Sequence, residues 1–297
     1  IIVLTHALRE HNNRRSPRPG PAANGKVFSM IGLACATISC DGFEDNDFRE
    51  SFRIMPEVGY RYIEFNAWYP SAVTPAKMRE LKQRCAERNI LPACIHGMGF
   101  GASNPRELSK DVAHKLRFLD AALEVGCRRV SFTGAGRGKE GGLEAIITVL
   151  QEVAPAAEEK DVLICLENHA GANLENIDDY ARIFDVIDSS HVGICLDTGH
   201  FDAAGVDMDA LIDRFKLRIN HIHLKENNGF GRKEFVRFGQ GTTDNHHVVD
   251  RMLALGYEGF LTVELSPQED TSTIPEDIAL AKRMFAQYET DAARLSP

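Results

Sequence analysis

The sequence predicts an α/β protein built as a single (β/α)8 TIM barrel. Three observations carry that expectation. Short, nearly continuous apolar runs recur about every 30 residues from residue 28 onward, and amphipathic stretches of helix length separate most of them. Eight such units over about 260 residues match a closed eight-strand barrel in size. An open doubly wound sheet is the alternative, but ATISCDGF follows the first run where a dinucleotide-binding GxGxxG would stand.

The elements follow in order. FSMIGLACA at 28–36 and YRYIEF at 60–65 read as the first two strands, apolar along their length as parallel strands covered on both faces should be. A helix at 75–89 follows, because Thr74 can cap it and Pro75 suits a first helical position. ILPACI at 90–95 is the third strand. The next helix, 105–125, starts the same way after Asn104 and stops at Gly126. RRVSFT at 128–133 leads to a helix at 142–160, and VLICLE at 162–167 to one at 175–189. HVGICLD at 191–197 is followed by a shorter helix at 207–215. LRINHIHL at 217–224 precedes a helix at 244–255 that stops at Gly256. GFLTVEL at 259–265 is the eighth strand, and a helix at 275–290 closes the pattern.

Composition narrows the class. The chain has 297 residues, 43% hydrophobic and 26% charged, as ordinary globular domains do. It has no run of about 18 apolar residues, so no membrane span is expected. The formal net charge is −9. Residues 1–26 hold five basic side chains against one acid, so the remainder carries −13, which disfavours nucleic acid as a partner. Seven cysteines without a CxxC, most of them inside apolar runs, read as buried thiols of a cytoplasmic protein rather than a zinc-thiolate site. Residues 1–27, rich in Arg, Pro, Gly and Asn, read as a flexible tail or an appended segment, with Met30 as a natural start. Removing them is expected to leave activity intact. The barrel then occupies 28–297.

Active sites of such barrels lie where the C-terminal ends of the strands meet. Strand five ends in Glu167, strand six in Asp197, strand seven in His223 and strand eight in Glu264. Four consecutive strands thus deliver a metal-capable side chain to one rim, each directly after an apolar run where a lone charge is costly. Three carboxylates in one cavity repel each other, and a divalent cation removes that penalty. The mostly oxygen set suits Mn2+ or Mg2+, with Co2+, Fe2+ or Zn2+ as alternatives. Any one of these acids alone is more often a helix cap or an ion-pair partner; the convergence of the set is what points to a metal.

The segments LENH (Glu167–His169), LDTGH (Asp197–His200), HIHLK (His221–Lys225) and VELS (Val263–Ser266), in that order, resemble the xylose isomerase-like barrel family of sugar isomerases and epimerases. The resemblance spans residues 28 to about 290 and is specific to the superfamily but not to a substrate. It implies one divalent metal, usually manganese, on Glu167, Asp197, His223 and Glu264. It also implies that Glu167 and Glu264 form the acid–base pair and that His200 contacts substrate. Chemistry agrees: a cation chelated by a ketose carbonyl and its neighbouring hydroxyl acidifies the C–H between them and stabilises the enediolate. One glutamate removes the proton and the other returns one on the opposite face, which epimerises the centre.

Further candidates for substrate contact are Glu64 and His96, read as ending strands two and three, and Lys225, two residues past the metal histidine. Trp68 can stack on a sugar face or cover the barrel edge. Arg232 is the nearest match to an arginine the epimerases place after the metal histidine. His169 is a support or substrate residue, His221 a core residue, and GAGRGKEGG (134–142) a plain turn in preference to a phosphate cradle.

The expected substrate is a small ketose or keto acid. A homo-oligomer, dimer or tetramer, is compatible with that reading. The main alternative is a lyase on the same scaffold, an inosose-type dehydratase or a 3-keto-glycoside eliminase. An abasic-site endonuclease ranks lower, because the related family uses three zinc ions and extra histidines, and strand four ends at Thr133–Gly134 without one.

Overall fold

The computed structural model describes residues 30–43, 46–268 and 270–290. Within them eight parallel strands close into a barrel in sequence order. The strands are β1 Ile31–Ala36, β2 Tyr62–Ala67, β3 Leu91–Gly97, β4 Arg129–Thr133, β5 Leu163–Glu167, β6 Val192–Asp197, β7 Ile219–Leu224 and β8 Gly259–Val263. Closure runs from Ile31↔Gly259 to Cys35↔Val263. Nearly every strand residue is buried, because helices cover the outside and side chains fill the inside.

The helix starts follow local chemistry. Thr74 and Asn104 accept backbone N–H groups at the heads of Pro75–Glu87 and Pro105–Val125. The helix expected at 175–189 is shorter, Ile177–Phe184, with Asn176 and Asp179 closing a reciprocal capping box. Among the described residues three α-helices have no counterpart in the sequence reading, the shortest being Ile38–Asp41 just after β1. Arg49–Val58 starts after Phe48, which sits in a left-handed conformation without a side-chain cap, and carries Pro56 inside, so both usual signals are missing. Thr198–Ala203 is a six-residue helix that springs directly from the end of β6.

Strand register moves one expected rim residue. β2 runs two residues past the predicted end, to Ala67. Asn66 therefore stands level with His96 of β3, while Glu64 is level with Cys94, one layer deeper. The tail at 1–27 lies outside the described residues. No helix among the described residues is long and apolar enough to cross a membrane.

Candidate active site and metal centre

The ends of β5 to β8 bring Glu167, Asp197, His223 and Glu264 together. One donor atom from each lies within 4.8 Å of every other, and all four residues are buried. His223 Nδ1 is the hub, 2.8 Å from Glu167 Oε1, 3.2 Å from Glu264 Oε2 and 4.0 Å from Asp197 Oδ2.

Asp197 is held by its neighbours on both sides. Its backbone N–H donates to Asn168 Oδ1 (2.8 Å), and its carbonyl accepts from Asn168 Nδ2 (2.9 Å). Its Oδ1 caps the six-residue helix by accepting the His200 N–H at 2.8 Å. Its Oδ2 is buried without a hydrogen-bond partner. Burial pushes the Asp197 pKa up to about 7; Lys225 opposes this, and Glu264 and Glu167 add to it. An orphaned buried carboxylate oxygen aimed at two glutamates and an imidazole nitrogen fits a divalent cation that replaces the missing partner.

Lys225 enters the same cluster, with Nζ 2.6 Å from Glu264 Oε1. Burial would raise the Glu264 pKa, but the Lys225 ammonium and His223 outweigh it and hold the carboxyl well below its usual range. Burial likewise works against the Lys225 charge, and Glu264 and Asp197 keep its pKa above normal. Gly199 makes room for this lysine: a Cβ there would sit 2.8 Å from Lys225 Cβ.

Above the cluster opens a cavity of about 330 Å³, at the small end of ligand sites. The glutamates Glu167 and Glu264 reach it, as do His96, His169, His200, Lys225 and Trp68. His200 Nδ1 accepts the Ala170 N–H at 3.2 Å, and burial, then Lys225, drives its pKa well below normal. The ring is therefore neutral with its proton on Nε2. His169 packs 3.9 Å from it, ring centre to ring centre, and burial lowers its pKa too. His96 Nδ1 lies 2.9 Å from Ser131 Oγ and 3.6 Å from Glu167 Oε2. Trp68 donates Nε1–H to the Gly42 carbonyl (3.1 Å) and stands edge-on to His96.

Two expected substrate contacts are not brought to the cavity. Glu64 is fully buried below it, 2.7 Å from His221 Nε2 and 3.0 Å from His223 Nε2, because β2 continues beyond it. Arg232 is an exposed loop residue that donates to the Asn228 carbonyl and pairs with Glu234 at 2.8 Å. Lys233 and Phe235, from the same loop, line the cavity instead, as do Asn66, Thr133 and Ser266. Asn66 was legible as the residue two past Glu64 on the same strand face; the loop residues carried no period to place them. His221 is fully buried in the core. Arg137, in the 134–142 turn, is bound to Glu175 and Asp179 and leaves no open phosphate cradle.

Comparison with known proteins identifies the fold family. The family model of the xylose isomerase-like TIM barrel matches residues 52–284. The chain belongs to that family. An inosose dehydratase from Clostridium beijerinckii is 22% identical over 281 residues, covering 83% of this chain and 91% of the relative. A probable endonuclease 4 from Mycobacterium leprae is 32% identical, but over 46% of this chain and 58% of its own. Among solved structures, the IolI protein with a bound zinc atom superposes with a TM-score of 0.73 at 18% identity, covering 88% of this chain and all of that one. At such identity the likeness establishes the fold; what these proteins bind or catalyse belongs to them.

Proposed function

We propose that this family member is a divalent-metal-dependent isomerase or epimerase of a small ketose or keto acid. The observation that carries the reading is the pair Glu167 and Glu264, which share one metal-capable cluster and both open onto the cavity. Glu167, Asp197, His223 and Glu264 would hold the metal, with manganese as the preferred ion. When bound, the cation supplies charge that polarises a substrate carbonyl.

The side chains divide the remaining work. Glu167, beside His96, and Glu264, beside Lys225, approach the cavity from separate strands, so one can take a proton from the carbon next to the carbonyl while the other gives one back. Lys225 keeps Glu264 ionised and ready to accept a proton. The neutral His200 offers an Nε2–H to a substrate oxygen, and Trp68 supplies an apolar wall for a sugar face. The buried setting strengthens each of these interactions. Seven free, buried cysteines fit a reducing compartment, and we place the protein in the cytoplasm.

A dehydratase is the second reading. The inosose dehydratase likeness over most of the chain favours it, as does Lys225, whose ammonium could protonate a departing hydroxyl. Both reactions begin by abstracting the same proton. The deciding experiment incubates Mn2+-loaded enzyme with a panel of ketoses, keto acids and inososes in D2O and follows it by NMR. Deuterium at one carbon with retention of all hydroxyls supports the isomerase or epimerase; loss of water supports the dehydratase; neither, with cleavage of abasic DNA, refutes both.

A further inference from the structure

Glu64 is an interior acid that the proposed reaction does not use. It sits in the middle of β2, fully buried, where a carboxylate needs partners to persist. Its hydrogen-bond partners are two imidazoles from β7, and a third, His96 Nδ1 of β3, lies 4.0 Å from Oε1. His221 Nε2 lies 2.7 Å from Oε2, and His223 Nε2 lies 3.0 Å from Oε1 and 3.1 Å from Oε2. The other nitrogen of the same His223 ring, Nδ1, faces Glu167, Glu264 and Asp197.

A neutral imidazole carries one proton on one of two nitrogens. With the proton on Nε2, it is donated to Glu64, and the Nδ1 lone pair points into the carboxylate cluster. With the proton on Nδ1, the Nε2 lone pair would face a buried carboxylate at about 3 Å, which is repulsive. On the other side Nδ1 faces Glu167 at 2.8 Å and Glu264 at 3.2 Å, so carboxylates flank both nitrogens; a cation among those acids would take the Nδ1 lone pair, and Glu64 would then hold the remaining proton on Nε2. A carboxylate accepting from the far side of a ligand imidazole also makes the ring a stronger donor. His221 fixes Glu64 in turn, and Thr262 Oγ1, 3.2 Å from His221 Nε2, completes the chain.

We infer that Glu64 is a positioning residue for the metal centre, selecting the His223 tautomer and orientation through its hydrogen bond to Nε2. This rests on the metal reading proposed above. Such a role assigns Glu64 to affinity for the cation rather than to substrate contact.

The test measures Mn2+ dissociation constants of the full chain by chelator competition for wild type, Glu64→Gln and Glu64→Asp. Glu64→Gln is expected to bind Mn2+ about 10–100-fold more weakly. Glu64→Asp, which restores the charge one methylene short, should recover part of that loss. The Mn2+ concentration giving half-maximal rate should rise with the dissociation constant, and excess Mn2+ should recover part of the lost kcat. A packing role alone would lower the melting temperature and leave the dissociation constant unchanged, and that result overturns the inference. Should Glu64→Gln fail to fold, Glu64→Asp decides it: weaker Mn2+ binding at an unchanged melting temperature supports the inference, and an unchanged dissociation constant overturns it. A wild type that binds no Mn2+ or Zn2+ overturns the metal reading itself and is told apart by the wild-type titration alone.

Discussion

The two halves of the barrel rim do different things. The ends of β5 to β8 bring three carboxylates and an imidazole to one point, tied to a buried lysine. The ends of β1 to β4 present Asn66, Trp68, His96 and Thr133 to the same cavity, with no carboxylate among them. The acid of β2, Glu64, is tucked one layer below the rim, where it grips His221 and His223 from beneath. The contrast suggests that one half supplies charge for chemistry while the other supplies walls that shape and dry the cavity. A change on the charged half should therefore strike turnover or metal binding, and a change on the wall half should strike substrate affinity.

The sharpest way to break this division is Glu167→Gln or Glu264→Gln. Each should lower kcat by about 10²–10⁴, the usual worth of a positioned acid or base, with the circular dichroism spectrum unchanged. Near-full activity in either variant would remove the two-glutamate mechanism. Next comes Lys225→Met, which leaves the buried Glu264 without its ammonium. It should destabilise the metal-free protein by about 3–5 kcal/mol in urea unfolding, and Mn2+ should reduce that loss because the cation also faces Glu264. Trp68→Ala, on the wall half, should raise KM by roughly tenfold through lost ring contact while kcat changes little. A collapse of kcat would place Trp68 in the chemistry instead.

The wall half also carries a buried lysine with a structural task. Lys115 Nζ donates to the carbonyls of Met98 (2.7 Å) and Gly99 (3.0 Å) and pairs with Asp111 at 3.0 Å. Burial pushes its pKa down to about 8, with Asp111 opposing. In the unfolded chain the ordinary lysine value of about 10.4 returns. Between the two values the unfolded state binds more protons, so this residue makes stability rise with pH across that window. Comparing urea midpoints at pH 7.5 and 10 for wild type and Lys115→Met isolates the effect. A wild-type slope no more positive than the variant's would contradict it. The smallest effect is expected at Arg232→Ala, since that side chain is exposed and pairs with Glu234 away from the cavity. Its kcat/KM should match wild type.

The division also explains what the amino-acid sequence could reveal. Parallel strands buried on both faces leave continuous apolar runs, so the barrel was readable without structure. Glu167, Asp197, His223 and Glu264 were readable as polar interruptions at the ends of those runs. Glu64 was not placed correctly, because its strand continues through Phe65, Asn66 and Ala67, and an asparagine inside a strand masks the true end. Arg232 was misplaced for a different reason: the long loop after β7 has no period, and its folding rests on bonds such as Asn227 Nδ2 to Asp202 Oδ2 (2.7 Å) that no local pattern announces. The helix Arg49–Val58 escaped because it has neither a capping side chain nor an uninterrupted helical composition.

On the proposed reading Glu167, Asp197, His223 and Glu264 together hold one divalent cation. Metal analysis of the full chain after equilibration with Mn2+ and dialysis tests it most directly, with wild type set beside the Asp197→Asn, His223→Gln double variant. One metal ion per wild-type chain is expected and almost none in the double variant, with both proteins folded. Three ions per wild-type chain, or equal metal in both proteins, would contradict it.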